Sequence, residues 1–178
     1  MKIIGLTGLT GAGKSTVAQK LMAYGCYHID ADKVAREVIN NNENVKNKLK
    51  ERFGDDVVNL DGTTNRPLLA SRAFSSEENT NALNEITHPA VTEEIQSIIK
   101  DMEEVGYRGV IIDAIALFES GLADICNFNV AVVAPKEIRL ERIMKRDNIT
   151  EEKALERINA QKDESFFTSR ADFVLWNY

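Results

Sequence analysis

Apolar positions follow two rhythms along this chain. Short continuous apolar runs, each ended by turn residues, alternate with longer stretches where apolar residues return every three or four positions. "KIIGLT" (Lys2 to Thr7) belongs to the first kind and reads as a short buried strand. "KSTVAQKLMAYG" belongs to the second. It reads as an amphipathic helix with Val17, Ala18, Leu21 and Met22 on one face and Gly25 as its stop signal. "CYHI" (Cys26 to Ile29) is a brief apolar piece ending at Asp30, and "ADKVAREVI" predicts a helix with Val34, Val38 and Ile39 on one side.

From Asn40 to about Met102 the pattern is mostly helical, interrupted by the turn-rich "GDDVVNLDGTTNRP" (Gly54 to Pro67). "GVIIDAIALF" (Gly109 to Phe118) and "NVAVVAP" (Asn129 to Pro135) are near-continuous apolar runs, as expected of strands buried on both faces of a parallel sheet. Two charged helical stretches follow, "KEIRLERIMKRD" and "TEEKALERINAQKD", and "ADFVLWNY" predicts a last strand. The alternation implies an α/β fold with a parallel sheet, and a helical block beside the strand ends where ligands sit.

Between the first strand and the first helix lies "GLTGAGKST". Gly8, Gly13, Lys14 and Ser15 have the G-x-x-x-x-G-K-S spacing of a P-loop. Its glycines let backbone N–H groups turn inward around phosphates, and the helix N-terminus adds partial positive charge. Lys14 is placed to reach the β- and γ-phosphates, and the Ser15 hydroxyl to hold Mg²⁺. Strand, loop and helix fall in the order the motif requires.

Composition narrows this reading only at its edges. A chain of 178 residues with 43% hydrophobic and 28% charged residues is that of an ordinary globular domain. A formal net charge of −6 argues against a general nucleic-acid binder and requires a local cluster of cations for any anionic ligand. Two cysteines without a C-x-x-C pattern fit a reducing compartment. No signal-peptide pattern and no membrane-length apolar run is present, so a soluble cytoplasmic protein without a membrane partner is expected.

Other polar residues offer chemistry with an alternative beside it. Asp30 and Asp32 fall where a strand gives way to a helix. One of them either caps that helix or accepts the proton of a substrate hydroxyl attacking a γ-phosphate. Arg36 lies one helical turn beyond Asp32, as an ion-pair partner or as a substrate-binding arginine. Arg139, Arg142 and Arg146 share one helical face, which suits a transferring phosphate, although Glu137 and Glu141 also make it a solvated face. Arg157 and Gln161 repeat the four-residue spacing. In "THPAV", Thr87 or His88 reads as an N-cap with Pro89 in the first turn. Asp113 and Glu119 compete as carboxylates for Mg²⁺, while His28 and Cys26 read as structural.

Together these segments resemble one family. "IGLTGLTGAGKSTVA", "HIDADKVAREV", "RFGDDVVNLDGTTNRPLLASRAF", "ITHPAV", "LFESGL", "RLERIMKRDNIT", "RINAQ" and "ADFVLWN" are similar, in order, to the dephospho-coenzyme A kinases. The resemblance implies a nucleoside-monophosphate-kinase-like P-loop NTPase fold, three layers around a central parallel sheet, as one domain over 1–178. It implies a helical CoA-binding insertion at about 40–102 and a lid at about 136–162. It further implies transfer of the ATP γ-phosphate to the 3′-hydroxyl of dephospho-CoA, with Mg²⁺, as the last step of coenzyme A synthesis.

In that scheme Gly11, Ala12, Gly13, Lys14, Ser15 and Thr16 hold ATP, and Asn177 lies near its base. Asp32 activates the hydroxyl, and Arg142 and Arg146 close over the phosphates. Arg36, His88, Asp113 and Glu119 serve the acceptor. The chain departs from the family pattern at "DAIALFE" (Asp113 to Glu119), which lacks a proline and so alters loop stiffness beside the acceptor. The family pattern also carries a further helix after the position of Tyr178; its loss is expected to expose apolar core or loosen the pocket around Asn177.

Overall fold

The computed structural model describes residues 1–178, which divide into two compact units. The first comprises Met1–Asp30 and Asp101–Tyr178, the second Ala31–Lys100.

The first unit is built on a five-stranded sheet. β1 (Lys2–Gly8) is central, and its residues from Ile4 onward are buried, as a strand covered on both faces must be. β2 (Cys26–Asp30), β3 (Gly109–Asp113), β4 (Phe128–Val133) and β5 (Phe173–Trp176) complete the order β2-β3-β1-β4-β5. All four pairings are parallel, with Leu6 opposite Asp113, Gly8 opposite Val132 and Asp30 opposite Asp113. The chain winds to one side of β1 through β2 and to the other through β4. The carboxyl end of β1 is therefore the topological switch point where open parallel sheets hold ligands. The P-loop begins there.

Helix α1 (Lys14–Ala23) covers one face, and only Ala18 on it is fully buried, a small residue that lets the helix lie close to the sheet. Leu6, Ile111, Ala131, Val132 and Val133 form the core with Ala18 and Phe167. The apolar run after β3 does not continue as strand. It ends at Asp113, and residues beyond it turn into a loop, where Thr7 Oγ1 donates to the Ile115 carbonyl at 3.2 Å, and then a short 3-10 turn at Leu122–Ile125.

The second unit is helical. It contains α2 (Ala31–Asn41), α3 (Glu43–Phe53), α4 (Arg66–Ala73) and most of α5 (Glu77–Val105). Asn42 caps α3 by accepting from the Val45 N–H at 3.1 Å, and Asn65 caps α4 by accepting from the Leu68 N–H at 3.3 Å. The turn-rich segment between α3 and α4 is held by Arg72, which donates to both oxygens of Asp56 and to the Phe53 carbonyl. Buried Lys46 ties the same segment by donating to the Gly62 carbonyl at 3.2 Å, with its charge balanced by Glu43.

One local expectation fails here. Thr87 and His88 do not cap a helix, because α5 runs unbroken from Glu77 to Val105 with Pro89 inside it. Thr87 Oγ1 turns back to the Leu83 carbonyl at 2.8 Å, four residues earlier, instead of forward to cap. Proline removes one N–H from such a helix, and burial of Thr87, Val91 and Ile95 on its inner face offsets that loss.

Candidate active site

Gly13 is the residue on which the P-loop turns into α1, and its φ of 92° places it in the left-handed region. It must also be small: a Cβ there would collide with the side-chain amide of Asn177. Asn177 in turn donates to the Ala12 carbonyl at 2.8 Å, and its own N–H donates to the Val133 carbonyl at 2.9 Å. The residue after the last strand thus fixes the loop after the first.

Arg142 reaches the loop from α6 (Lys136–Asp147), with Nη1 3.4 Å from both the Gly11 and Ala12 carbonyls and 3.3 Å from that of Asn177. Those carbonyls turn toward α6, which leaves the N–H groups at the helix start for an anion. Ser15 and Thr16, in the first turn of α1, are exposed.

Beyond the loop, Lys14 Nζ lies 3.6 Å from one oxygen of Asp113, and His28 Nε2 lies 3.3 Å from the other. Asp113 ends β3 beside β1, so the sheet register itself delivers a carboxylate to the loop lysine. A cleft of about 660 Å³, within the range of small-molecule sites, opens over these groups. Its walls include Lys14, Ser15, Asp113, Arg142, Arg146 and Asn177.

The three arginines of α6 divide their tasks. Arg139 is buried, and burial lowers its pKa; it donates to the Thr10 carbonyl rather than facing an open site. Arg142 serves the loop carbonyls. Arg146 reaches the cleft wall while its Nε and Nη2 are held by Asp147, at 2.7 and 2.9 Å. Asp147 also takes Arg157 from α7 (Glu151–Asn159), and the two arginines hold its carboxyl below the usual carboxylate range. Sequence reasoning placed these cations on one face, but spacing carries no information on which carbonyls they meet.

Glu119 is exposed and lies outside the walls of this cleft, whereas Asp113 is in them. Asp32 lies in the first turn of α2, with Arg36 one turn on, and both are exposed on the second unit. His88 is half-buried on α5, and burial lowers its pKa.

A P-loop seated at the switch point of a 2-3-1-4-5 parallel sheet, with a lysine, a carboxylate and arginines around one cleft, defines the class of P-loop kinases. The chain belongs to the dephospho-CoA kinase family, whose model matches residues 2–178. It is 40% identical over 177 residues to the dephospho-CoA kinase of Corynebacterium diphtheriae, covering 99% of this chain and 88% of that one. Against the Bacillus cereus enzyme of that name it is 39% identical over 175 residues, with 98% and 88% covered.

Among solved structures, dephospho-CoA kinase from Campylobacter jejuni matches with a TM-score of 0.70 and 27% identity, covering 99% of this chain and 89% of that one. Shikimate kinase from Bacteroides thetaiotaomicron shares the fold alone, with a TM-score of 0.55 and 16% identity over 97% of this chain and 84% of that one. The chain is accordingly a kinase with ATP as phosphate donor, and phosphorylation of dephospho-CoA is the function of its family.

Proposed function

We propose that this chain transfers the γ-phosphate of ATP to the 3′-hydroxyl of the dephospho-CoA ribose, as a single domain over 1–178. In this reading a helical segment at about 40–102 takes the acceptor and a lid at about 136–162 covers the phosphates. The observation that carries the reading is the Lys14–Asp113 pair on the wall of the P-loop cleft. It is a cation positioned for phosphate beside a carboxylate positioned for a hard metal ion.

Gly11, Gly13, Lys14 and Ser15 offer backbone N–H groups to the triphosphate, since the Ala12 N–H donates to the Leu9 carbonyl at 3.1 Å and the Thr16 N–H to the Gly13 carbonyl at 3.0 Å. Lys14 also supplies a mobile charge to its β- and γ-oxygens. Asn177, already bonded to the loop, borders the base. Mg²⁺ suits the donors present: the Ser15 hydroxyl and the Asp113 carboxylate are oxygen ligands lining one cleft. No cluster of three ligating side chains is needed, since Mg²⁺ keeps waters and phosphate oxygens in its shell. Bound there, it would neutralise charge on the phosphates.

Asp32 accepts the proton of the 3′-hydroxyl as its oxygen attacks the γ-phosphorus and the bond to the ADP oxygen breaks. Arg36, His88 and Glu119 bind the acceptor. Arg142 and Arg146 face the charge that develops on the transferring group. The protein works in the cytoplasm, consistent with two unpaired thiols and with no helix long and apolar enough to cross a membrane. ADP release measured with Mg·ATP and dephospho-CoA, AMP or shikimate in parallel tests the proposal. Turnover with dephospho-CoA alone is expected; turnover with either other acceptor instead would overturn it.

A further inference from the structure

Thr10, at the tip of the P-loop, is held on both sides by residues far away in sequence. Its N–H donates to Gln161 Oε1 at 2.8 Å, and its carbonyl accepts from Arg139 Nε at 2.9 Å. Arg139 Nη2 closes the triangle by donating to the same Gln161 oxygen at 3.4 Å. Gln161 follows α7, and Arg139 lies in the first half of α6, so both helices meet at this one loop residue.

The loop is also seated tightly. A Cβ on Gly11 would come within 2.8 Å of the Arg139 carbonyl and 3.0 Å of Ile143. Arg139 is only 6% exposed, too enclosed to serve as a phosphate clamp itself.

We propose that Gln161 and Arg139 are positioning residues that latch the P-loop tip and set the orientation of its peptides for ATP. The inference rests on the kinase reading of the cleft. Its physical basis is the planar trans peptide: a carbonyl drawn to one side sends the following N–H to the other. Arg139 draws the Thr10 carbonyl toward α6, which aims the Gly11 N–H the opposite way, and Gly11 lines the cleft. Gln161 fixes the preceding peptide through the Thr10 N–H. A neutral amide does this without placing a negative charge beside a triphosphate, and its oxygen has lone pairs for both donors. Seating of the α6–α7 pair and shape of the phosphate loop become one variable.

The test compares the full chain with Gln161→Met, which keeps length and loses the acceptor, and with Gln161→Glu, which keeps the acceptor. Amide hydrogen exchange at Thr10 is read against Ile111 in the core of β3. In Gln161→Met, Thr10 exchange is expected to rise about tenfold with Ile111 unchanged, the loss of one hydrogen bond. In Gln161→Glu it stays at the wild-type rate.

The KM for ATP of Gln161→Met is expected to rise about three- to tenfold, with the KM for dephospho-CoA within about twofold of wild type. Unchanged Thr10 exchange in Gln161→Met would overturn the latch. So would a fall in kcat with the KM for ATP intact, since that marks a merely structural role. Where the methionine variant does not fold, Gln161→Asn carries the same comparison, because its shorter side chain leaves the oxygen out of reach. If the wild-type protein fails to phosphorylate dephospho-CoA, the kinase reading falls while Thr10 exchange still decides the latch.

Discussion

Lys14 and Asp113 neutralise each other across 3.6 Å until a triphosphate competes for the ammonium. That exchange of partners is why the lysine is worth more in the reaction than in the fold. Lys14→Ala is expected to lower kcat/KM by about 10²–10³, the scale of a lost transition-state donor, with an unchanged circular dichroism spectrum. Asp32→Asn separates its two readings by kinetics. A base lost from the transition state lowers kcat by about 10²–10⁴ with little change in KM, whereas loss of a charge that only complements the N-terminal dipole of α2 leaves kcat alone and lowers stability by about 0.3–1 kcal/mol.

His88 carries a pH signature of its own. Burial holds its imidazole below the ordinary value near 6.5, so the unfolded chain takes up a proton that the folded chain refuses. Its contribution to stability is complete above about pH 6.5 and is lost as pH falls from there toward the lowered folded value. Urea denaturation at stepped pH checks this, and His88→Gln is expected to flatten the slope in that window.

The elements divide by how far periodicity alone reveals them. α1 and β1 are legible because the P-loop motif fixes their order, and β4 because "NVAVVAP" is too apolar to be anything but interior. α8 (Glu164–Thr168) is not legible: five residues give no period, and its signal is the pair Phe166–Phe167. The structure shows why that pair matters, since Phe167 is 2% exposed and sits in the core beneath the sheet. Phe167→Ala is expected to cost about 3–5 kcal/mol in equilibrium unfolding, as for other large core truncations. α5 runs through Pro89, against the local signal, for a related reason. Proline is a strong local signal, and only the buried face running on both sides of it overrides that signal.

Across the whole molecule, alternation of apolar runs and helical periods was enough for the fold class. It was not enough for strand order, which depends on pairings such as Gly8 with Val132 that no local pattern encodes. The cleft shows the same division. Lys14, Ser15 and Arg142 are legible from motif and spacing, while the contacts of Thr10 with Arg139 and Gln161 join residues 129 and 151 positions apart. The net charge of −6 makes the cations on the cleft wall local exceptions to an acidic chain. Ligand binding to the folded state alone raises its stability, by about 2.7 kcal/mol at a hundred times Kd. Mg·ATP is therefore expected to raise the Tm of the wild-type chain by several degrees, and that of Lys14→Ala far less at the same concentration.

Asn177 bonds to Ala12 across 165 positions, and synthesis proceeds in one direction. A ribosome adding about 5–20 residues per second needs roughly 8–33 s to cover that interval. Throughout it the phosphate loop exists without the Asn177 amide on its Ala12 carbonyl. The Ala12 carbonyl gains this partner only once residue 177 has been made, so products that stop short of it emerge with a less constrained phosphate loop.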